Sequence, residues 1–453
     1  MKQGYFDILE KYNIVPFNKA AKYCMELFKE PSTIQQTFSD VSSMVTAPVL
    51  VSYVWWVLTE AERRGLKRLY FLARDGYVMH QIAIRFCKRF DIDIDCRYLY
   101  CSRASLRLPT YHFIGDEAYK LLLIGGYSLT PKHILQRIKL SEDERQQIFI
   151  ETGTTDKDKV LTKPEFQDFT EKLRVNETYI QAVKRESIEA YHSTIGYLRQ
   201  EGLLDGEHVA IVDTGWTGSM QRSLRQLISR EVNLSGITGF YFGMFTEPKS
   251  SEDGEYLTWY FSSKTSKSVL IKFNNNLLEC LCSAPHGMTL GYDYSNGKYV
   301  PILKSDSVSD SINKVLANKQ VNIVCTFTDI LLEHISFRDF NKRVVYSLSK
   351  QLLQKLMFSP SKEVALAFGE YTFCDDISET YQYKLAEPGQ DDQLYSYLFI
   401  NRIYRKFISN KKGSKYKGEL FWPYGSLALS NLKPKFWYRV NMYLWELIRY
   451  KLT

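Results

Sequence analysis

Asp213-Thr214-Gly215-Trp216-Thr217-Gly218-Ser219 has the residue types of an anion-binding turn. Four apolar residues, Val209-Ala210-Ile211-Val212, run straight into Asp213. Thr217-Gly218-Ser219 then opens a segment that keeps helical spacing past Met220 and Gln221 to about Ile228. A buried strand, a turn of small residues and a helix start aim backbone N–H groups and the positive end of the helix dipole at one point, which suits a phosphate.

Two further stretches repeat the arrangement. Residues 67–73 read as an apolar strand; Arg74-Asp75-Gly76-Tyr77 follow where the sheet would end, and residues 78–90 have helical spacing. Residues 96–101 read as another strand, followed by Ser102-Arg103-Ala104-Ser105. In open α/β sheets ligands sit beyond the carboxyl ends of the strands. Arg74-Asp75-Gly76, Arg103 and Asp213-Thr214-Gly215 are therefore expected to face one crevice. Each arginine brings a fixed positive fork suited to phosphate oxygens.

The elements that must position these residues predict an α/β fold: an open, mainly parallel sheet with flanking helices, a large helical insertion and a helical C-terminal region. Residues 1–109 supply N-terminal helices and the first half of the α/β core. Residues 110–205 read as a helical insertion that grips an acceptor or forms a lid. Residues 206–304 hold the second half of the core, with a strand at 237–245, a helix ending at a turn near Pro285, and a hairpin whose turn is Asn296-Gly297. Residues 305–453 read as helical, with a loop at Glu387-Pro388-Gly389-Gln390 and a basic linker at 410–415. The most apolar run, residues 47–58 with Trp55 and Trp56, is short of the about 20 residues a bilayer needs and reads as a buried helix on the sheet.

Composition narrows the function classes. The 453 residues carry 59 Lys and Arg against 51 Asp and Glu, a net +8 spread along the chain. That excess suits an anionic small molecule or a membrane surface and falls short of a nucleic-acid footprint, so no nucleic-acid partner is expected. None of the eight cysteines forms Cys-x-x-Cys, and the seven histidines are dispersed, which points away from a zinc site or a disulfide framework. The N-terminus lacks a charged-then-apolar leader, so a cytoplasmic, reduced protein is expected. Residues 433–453 interleave Lys433, Lys435, Arg439, Arg449 and Lys451 with Phe436, Trp437, Val440, Leu444 and Trp445. Such a helix can lie in the interface of the inner face of the cytoplasmic membrane or dock on the protein's own core. Asp91-Ile92-Asp93 has the spacing of a metal-holding acid pair, but Arg89-Phe90 rather than a strand precedes it, and it reads as a solvated helix-to-strand loop.

Five blocks taken together resemble a bacterial family: Phe71-Leu72-Ala73-Arg74-Asp75-Gly76-Tyr77; Tyr100-Cys101-Ser102-Arg103; the run from Val212 to Gln221; Leu278-Glu279 with Ser283-Ala284-Pro285-His286-Gly287; and Trp422-Pro423-Tyr424-Gly425-Ser426. The chain is similar to the glycan-directed phosphoribosyltransferase modules of ribofuranosyltransferases, found in gene clusters for surface polysaccharides such as O-antigen and capsule. The Asp213 turn also resembles the ribose-phosphate loop of phosphoribosyltransferases, with Val212 in place of its first acid and Met220 in place of a final Thr. The resemblance implies transfer of 5-phosphoribose from phosphoribosyl diphosphate, with Mg²⁺, to a hydroxyl of a lipid-linked or capsular glycan. Such modules are often fused to a haloacid-dehalogenase-type phosphatase. This chain has no such module, so a separate phosphatase would remove the 5-phosphate.

The resemblance also implies roles. Arg74, Gly76, Tyr77 and Arg103 would handle the diphosphate side, with Asp75 as the metal residue. Thr217, Gly218 and Ser219, with Thr214, Gly215, Trp216 and Gln221, would shape the phosphate turn. Asp213 would hold the ribose hydroxyls, and either Asp75 or Glu279 would take the acceptor proton. Two alternatives differ in class: a nucleotide-sugar glycosyltransferase relying on Asp91 and Asp93, and a non-catalytic scaffold of a polysaccharide assembly complex.

Overall fold

The computed structural model describes residues 2–125, 129–206, 209–234, 236–247, 250, 253–305, 308–373, 383–398 and 420–452. His208 and the basic linker at 410–415 lie outside the described residues. The core is an open, all-parallel sheet of five strands: β1 (Arg68–Leu72), β2 (Asp95–Leu99), β3 (Val209–Trp216), β4 (Ile237–Met244) and β5 (Gly254–Phe261), in the order β2-β1-β3-β4-β5. The register aligns Arg68 with Asp95 on one side and with Val209 on the other, and Ala210 with Thr238. This order winds outward in both directions from β1 and β3. The loops leaving those two strands therefore part to opposite faces of the sheet and open a crevice at their carboxyl ends.

Alternation along the strands divides the interior. Leu69, Phe71, Ala210, Val212, Phe240 and Phe242 point into one large cluster with the N-terminal and C-terminal helices. Tyr70, Leu72, Ile211 and Tyr241 point into a smaller cluster on the other face. A third cluster belongs to the inserted helices, with Ile134, Leu135, Ile148, Leu173, Tyr179 and Ala182 among its buried members. The helix Glu177–Gln200 joins two of these cores. Tyr179, Ala182 and Val183 near its start lie in the third cluster, and Ile195, Tyr197 and Leu198 near its end lie under the sheet.

Three features differ from the sequence expectation. The apolar run at 47–58 is part of a continuous helical span, Thr33–Arg63, with a π-turn at Ser42–Thr46. By length and mean hydropathy (1.6) that span could cross a membrane, but its apolar window is buried entirely inside the protein. Strand β5 is an additional edge strand, and β3 runs on past Asp213 through Gly215, which pairs with Gly243, to Trp216, which pairs with Met244. The C-terminal region is not wholly helical, since Thr372–Phe373 pairs antiparallel with Tyr383–Lys384. The Asn296-Gly297 hairpin does form, from Thr289–Ser295 and Lys298–Leu303.

Candidate functional site

A cavity of about 340 Å³ lies at the carboxyl ends of β1 and β3. Arg74 and Asp75 enter from the turn after β1, Ser102 and Arg103 from the turn after β2, and Asp213, Thr214, Gly215, Trp216, Thr217 and Ser219 from β3 and the turn beyond it. Glu279 closes the far wall from the helix Asn275–Cys282, which Asn274 caps by accepting the Leu277 N–H at 2.7 Å. Residues from four separate chain segments thus share one wall because the topology sends each segment to the same end of the sheet.

Hydrogen bonds fix the acids. The Thr214 hydroxyl donates to Asp75 across the gap between β1 and β3. The Trp216 indole N–H donates to Glu279 at 2.6 Å. Trp216 holds a left-handed backbone (φ 78°), unusual for a bulky side chain, and its ring packs against Phe245 and Phe273 at 5.6 Å each. The main-chain carbonyl of Asp213 lies 3.0 Å from the hydroxyl of Tyr53, which also lies 2.9 Å from the Phe240 carbonyl. Tyr53 thereby ties the buried helix Ala47–Arg63 to β3 and β4.

Burial raises the proton affinity of all three carboxyl groups, and the charge of Asp75 raises that of Asp213 and Glu279 further. Burial, then the charge of Asp75, pushes Asp213 up to about 7, against the pull of the Thr214 and Gly215 backbone N–H groups and Arg103. Burial and Asp75 likewise push Glu279 up to about 8, opposed by the Trp216 indole and Arg103. Asp75 is raised as well, chiefly by burial, with Thr214, Arg74 and Arg103 opposing. Buried carboxyls with raised proton affinity, facing two arginines in a crevice, mark a candidate site.

The cavity brings together Arg74, Asp75, Arg103, Asp213, Thr214, Gly215, Trp216, Thr217, Ser219 and Glu279, and leaves out four of the sequence candidates. Gly76 sits where a Cβ would meet the Phe71 backbone at 2.7 Å, so its role is close packing of helix on strand. Tyr77 packs edge-on against Tyr98 at 5.3 Å. Gly218 is the left-handed residue that starts the helix Ser219–Ile228, beneath the turn. Gln221 is wholly buried: its amide N–H groups donate to the carbonyls of Ile237 and Asp253 at 2.7 and 2.9 Å, and its oxygen accepts from the Tyr241 hydroxyl at 2.8 Å. Those bonds use up its polar capacity and pin the helix to β4 and β5. Gln221→Leu is accordingly expected to lower stability by about 2–4 kcal/mol by leaving three buried groups unsatisfied, with ligand affinity of the folded protein unchanged. Urea denaturation beside a binding titration checks this; a weaker affinity at unchanged stability would make Gln221 a ligand after all.

Sequence reasoning missed Lys314, Asn313 and Thr372, which reach the cavity from the C-terminal region. No local signal marks them, since nearly a hundred residues separate Lys314 from β3. His286 was legible only as part of a motif. Its Nδ1 donates to the Gly287 carbonyl at 2.9 Å, so Nε2 accepts from the Tyr98 hydroxyl at 2.7 Å. Burial lowers its proton affinity, which keeps this ring neutral. Among the described residues, no group of three His, Cys, Asp or Glu side chains is arranged to hold a metal ion by itself.

The acidic pair at Asp91 and Asp93 lies elsewhere. Asp91 caps the helix Gly76–Phe90 in a left-handed conformation, and the exposed Asp93 pairs with Lys67 at 2.6 Å. Both precede β2 and so stand at the amino ends of the strands, opposite the crevice. Comparison of the sequence with family models and with curated proteins finds no match.

Proposed function

We propose that the protein is a glycan-directed phosphoribosyltransferase, moving 5-phosphoribose from phosphoribosyl diphosphate to a hydroxyl of a bacterial surface glycan. The observation that carries this is the convergence of Asp75, Asp213 and Glu279 with Arg74, Arg103 and the Thr217–Ser219 turn in one cavity at the point where the sheet winds apart. Phosphates, ribose hydroxyls and a cationic ring each find a matching group there.

In this scheme the turn at Thr217 and Ser219, with the first backbone N–H groups of the helix behind it, receives the 5-phosphate. Asp213 accepts hydrogen bonds from the ribose hydroxyls. Arg74 and Arg103 grip the diphosphate with fixed forks. Asp75, beside both arginines, is the residue that would hold Mg²⁺ together with the donor's own phosphate oxygens. A single protein carboxylate suffices for that ion, which fits the lack of a larger ligand cluster among the described residues. When bound, the ion neutralises the departing diphosphate.

The bond between ribose C1 and the diphosphate oxygen breaks with its electron pair leaving on the diphosphate, and a bond from the acceptor oxygen to C1 forms. The positive charge that gathers on the ring is stabilised by the carboxylates already in place. The acceptor proton goes to Glu279, whose proton affinity near neutrality suits a general base. A cytoplasmic location at the inner face of the membrane and a separate phosphatase partner belong to the same proposal.

The nucleotide-sugar alternative has its Asp91 and Asp93 at the wrong end of the strands, which favours the phosphoribosyl donor. Calorimetric titration with phosphoribosyl diphosphate and Mg²⁺ tests it. Binding by phosphoribosyl diphosphate and not by uridine or cytidine diphosphate sugars is the expected result, and binding by a nucleotide sugar alone would overturn it.

A further inference from the structure

The helix Lys435–Leu452 carries apolar side chains on its outer face as well as its inner one. Met442 and Trp445 face the core, and the helix packs on Lys267–Ile271 and Pro423–Leu429. On the outer side Phe436 is 73% exposed, Trp437 46%, Val440 36% and Leu444 46%. Positions 436, 440 and 444 fall on one line at helical spacing, with Trp437 beside it, so the outer face is an apolar stripe where a solvated helix would be polar. Contiguous apolar surface of this kind marks an interaction face.

Charge around the stripe selects the partner. Lys433 and Lys435 stand at the start of the helix and Arg439 one turn on, and Lys362 adds its field to theirs. Lys435 feels this crowding: burial first, then the charges of Lys362, Lys433 and Arg439, lower its proton affinity, with Asp391 opposing. The acid within the helix, Glu446, is already paired with Arg449 at 2.6 Å. A second copy of the chain would bring these cations against their own kind. One four-residue stripe also falls well short of the roughly 800 Å² per partner that stable dimers bury. Aromatic and aliphatic side chains flanked by lysine and arginine match the interface of an anionic bilayer, where rings sit at headgroup level and cations meet phosphate.

We propose that this face seats the protein on an anionic lipid surface, with Phe436, Trp437, Val440 and Leu444 entering the interface and Lys433 and Arg439 on the headgroups. The proposal stands apart from the donor chemistry of the cavity.

Co-sedimentation with phosphatidylcholine vesicles, with and without phosphatidylglycerol, tests it. The protein is expected to bind the phosphatidylglycerol vesicles, less so as salt rises. Trp437→Ser with Leu444→Ser should cut partitioning at least ~10-fold, and Lys433→Gln should cut it about five-fold. All these positions are exposed, and unchanged thermal denaturation would show that each variant is folded. Absence of vesicle binding, or equal binding by the Trp437/Leu444 variant, would overturn the proposal. So would a dimer in sedimentation velocity that the same variant dissolves, which would assign the stripe to a second copy.

Discussion

Asp213→Asn is expected to unfold at higher temperature than wild type at pH 8 and to bind phosphoribosyl diphosphate about 10–100-fold more weakly. The stability gain follows from the carboxyl's raised proton affinity. In the unfolded chain Asp213 ionises near its ordinary value of about 4, whereas in the fold burial and the charge of Asp75 push it to about 7. Between those values the folded state holds a proton that the unfolded state has lost. The contribution of Asp213 to stability is therefore full below about pH 4 and is lost as pH rises through 7. The loss by pH 8 is on the order of a few kcal/mol. Asparagine cannot ionise and escapes it.

Wild type and variant should therefore have similar stability near pH 4 and diverge toward pH 8. A residual slope should remain in the variant because burial and Asp75 still raise Glu279. Parallel curves across that range would mean that Asp213 is not held protonated. The weaker binding reflects hydrogen bonds from ribose hydroxyls to a charged acceptor, each about 1.5–3 kcal/mol. A variant that gains stability and loses ligand is what a site built at the expense of the fold should give.

Gly215→Ala should be a strongly damaging single-methyl change in the cavity wall. Gly215 has φ 113°, which residues with a side chain rarely adopt, and a Cβ there would lie 2.3 Å from the Gly243 carbonyl oxygen. That oxygen belongs to the paired strand, so β3 and β4 would have to separate. A cost of about 3 kcal/mol or more is expected from strain and clash together. The disturbance would also reach Trp216, the next residue, and through its indole Glu279. Gly291→Ala, where nothing lies within 4 Å, is the control expected to change little. Chemical denaturation of the two variants decides it: equal midpoints would remove the close approach from the account of the site.

Much of this was legible in the chain because the parallel sheet writes itself plainly. Leu69 to Leu72 and Val209 to Val212 are unbroken apolar runs buried on both faces, and the polar residues that end them mark the crevice. The hairpin was legible from Asn296-Gly297, whose left-handed backbones suit a tight turn. Strand β5 was not, because an edge strand with half its residues partly exposed carries Glu255 and Thr258 among its aromatics and lacks an apolar run. The extension of β3 through Thr214 and Gly215 reads as a loop, since small polar residues hide their pairing with β4. Gln221 shows the reverse error. A polar residue inside a binding motif suggests a ligand, and only the distant carbonyls of Ile237 and Asp253 show otherwise.

The helix Glu177–Gln200 has a mechanical consequence. Its end is clamped just before the turn that carries Ser102 and Arg103: the Tyr197 ring stacks on Tyr292 at 4.2 Å, and the Tyr197 and Tyr292 hydroxyls bond the Tyr100 N–H and carbonyl at 3.0 and 2.7 Å. Its start is embedded in the separate core of the insertion. Between its ends the helix is held as well, since the Ser187 hydroxyl accepts the His112 N–H at 2.9 Å, so it acts as a stiff strut. The core of the insertion is therefore set off, by about 30 Å of unbroken helix, from the strand end that carries Ser102 and Arg103.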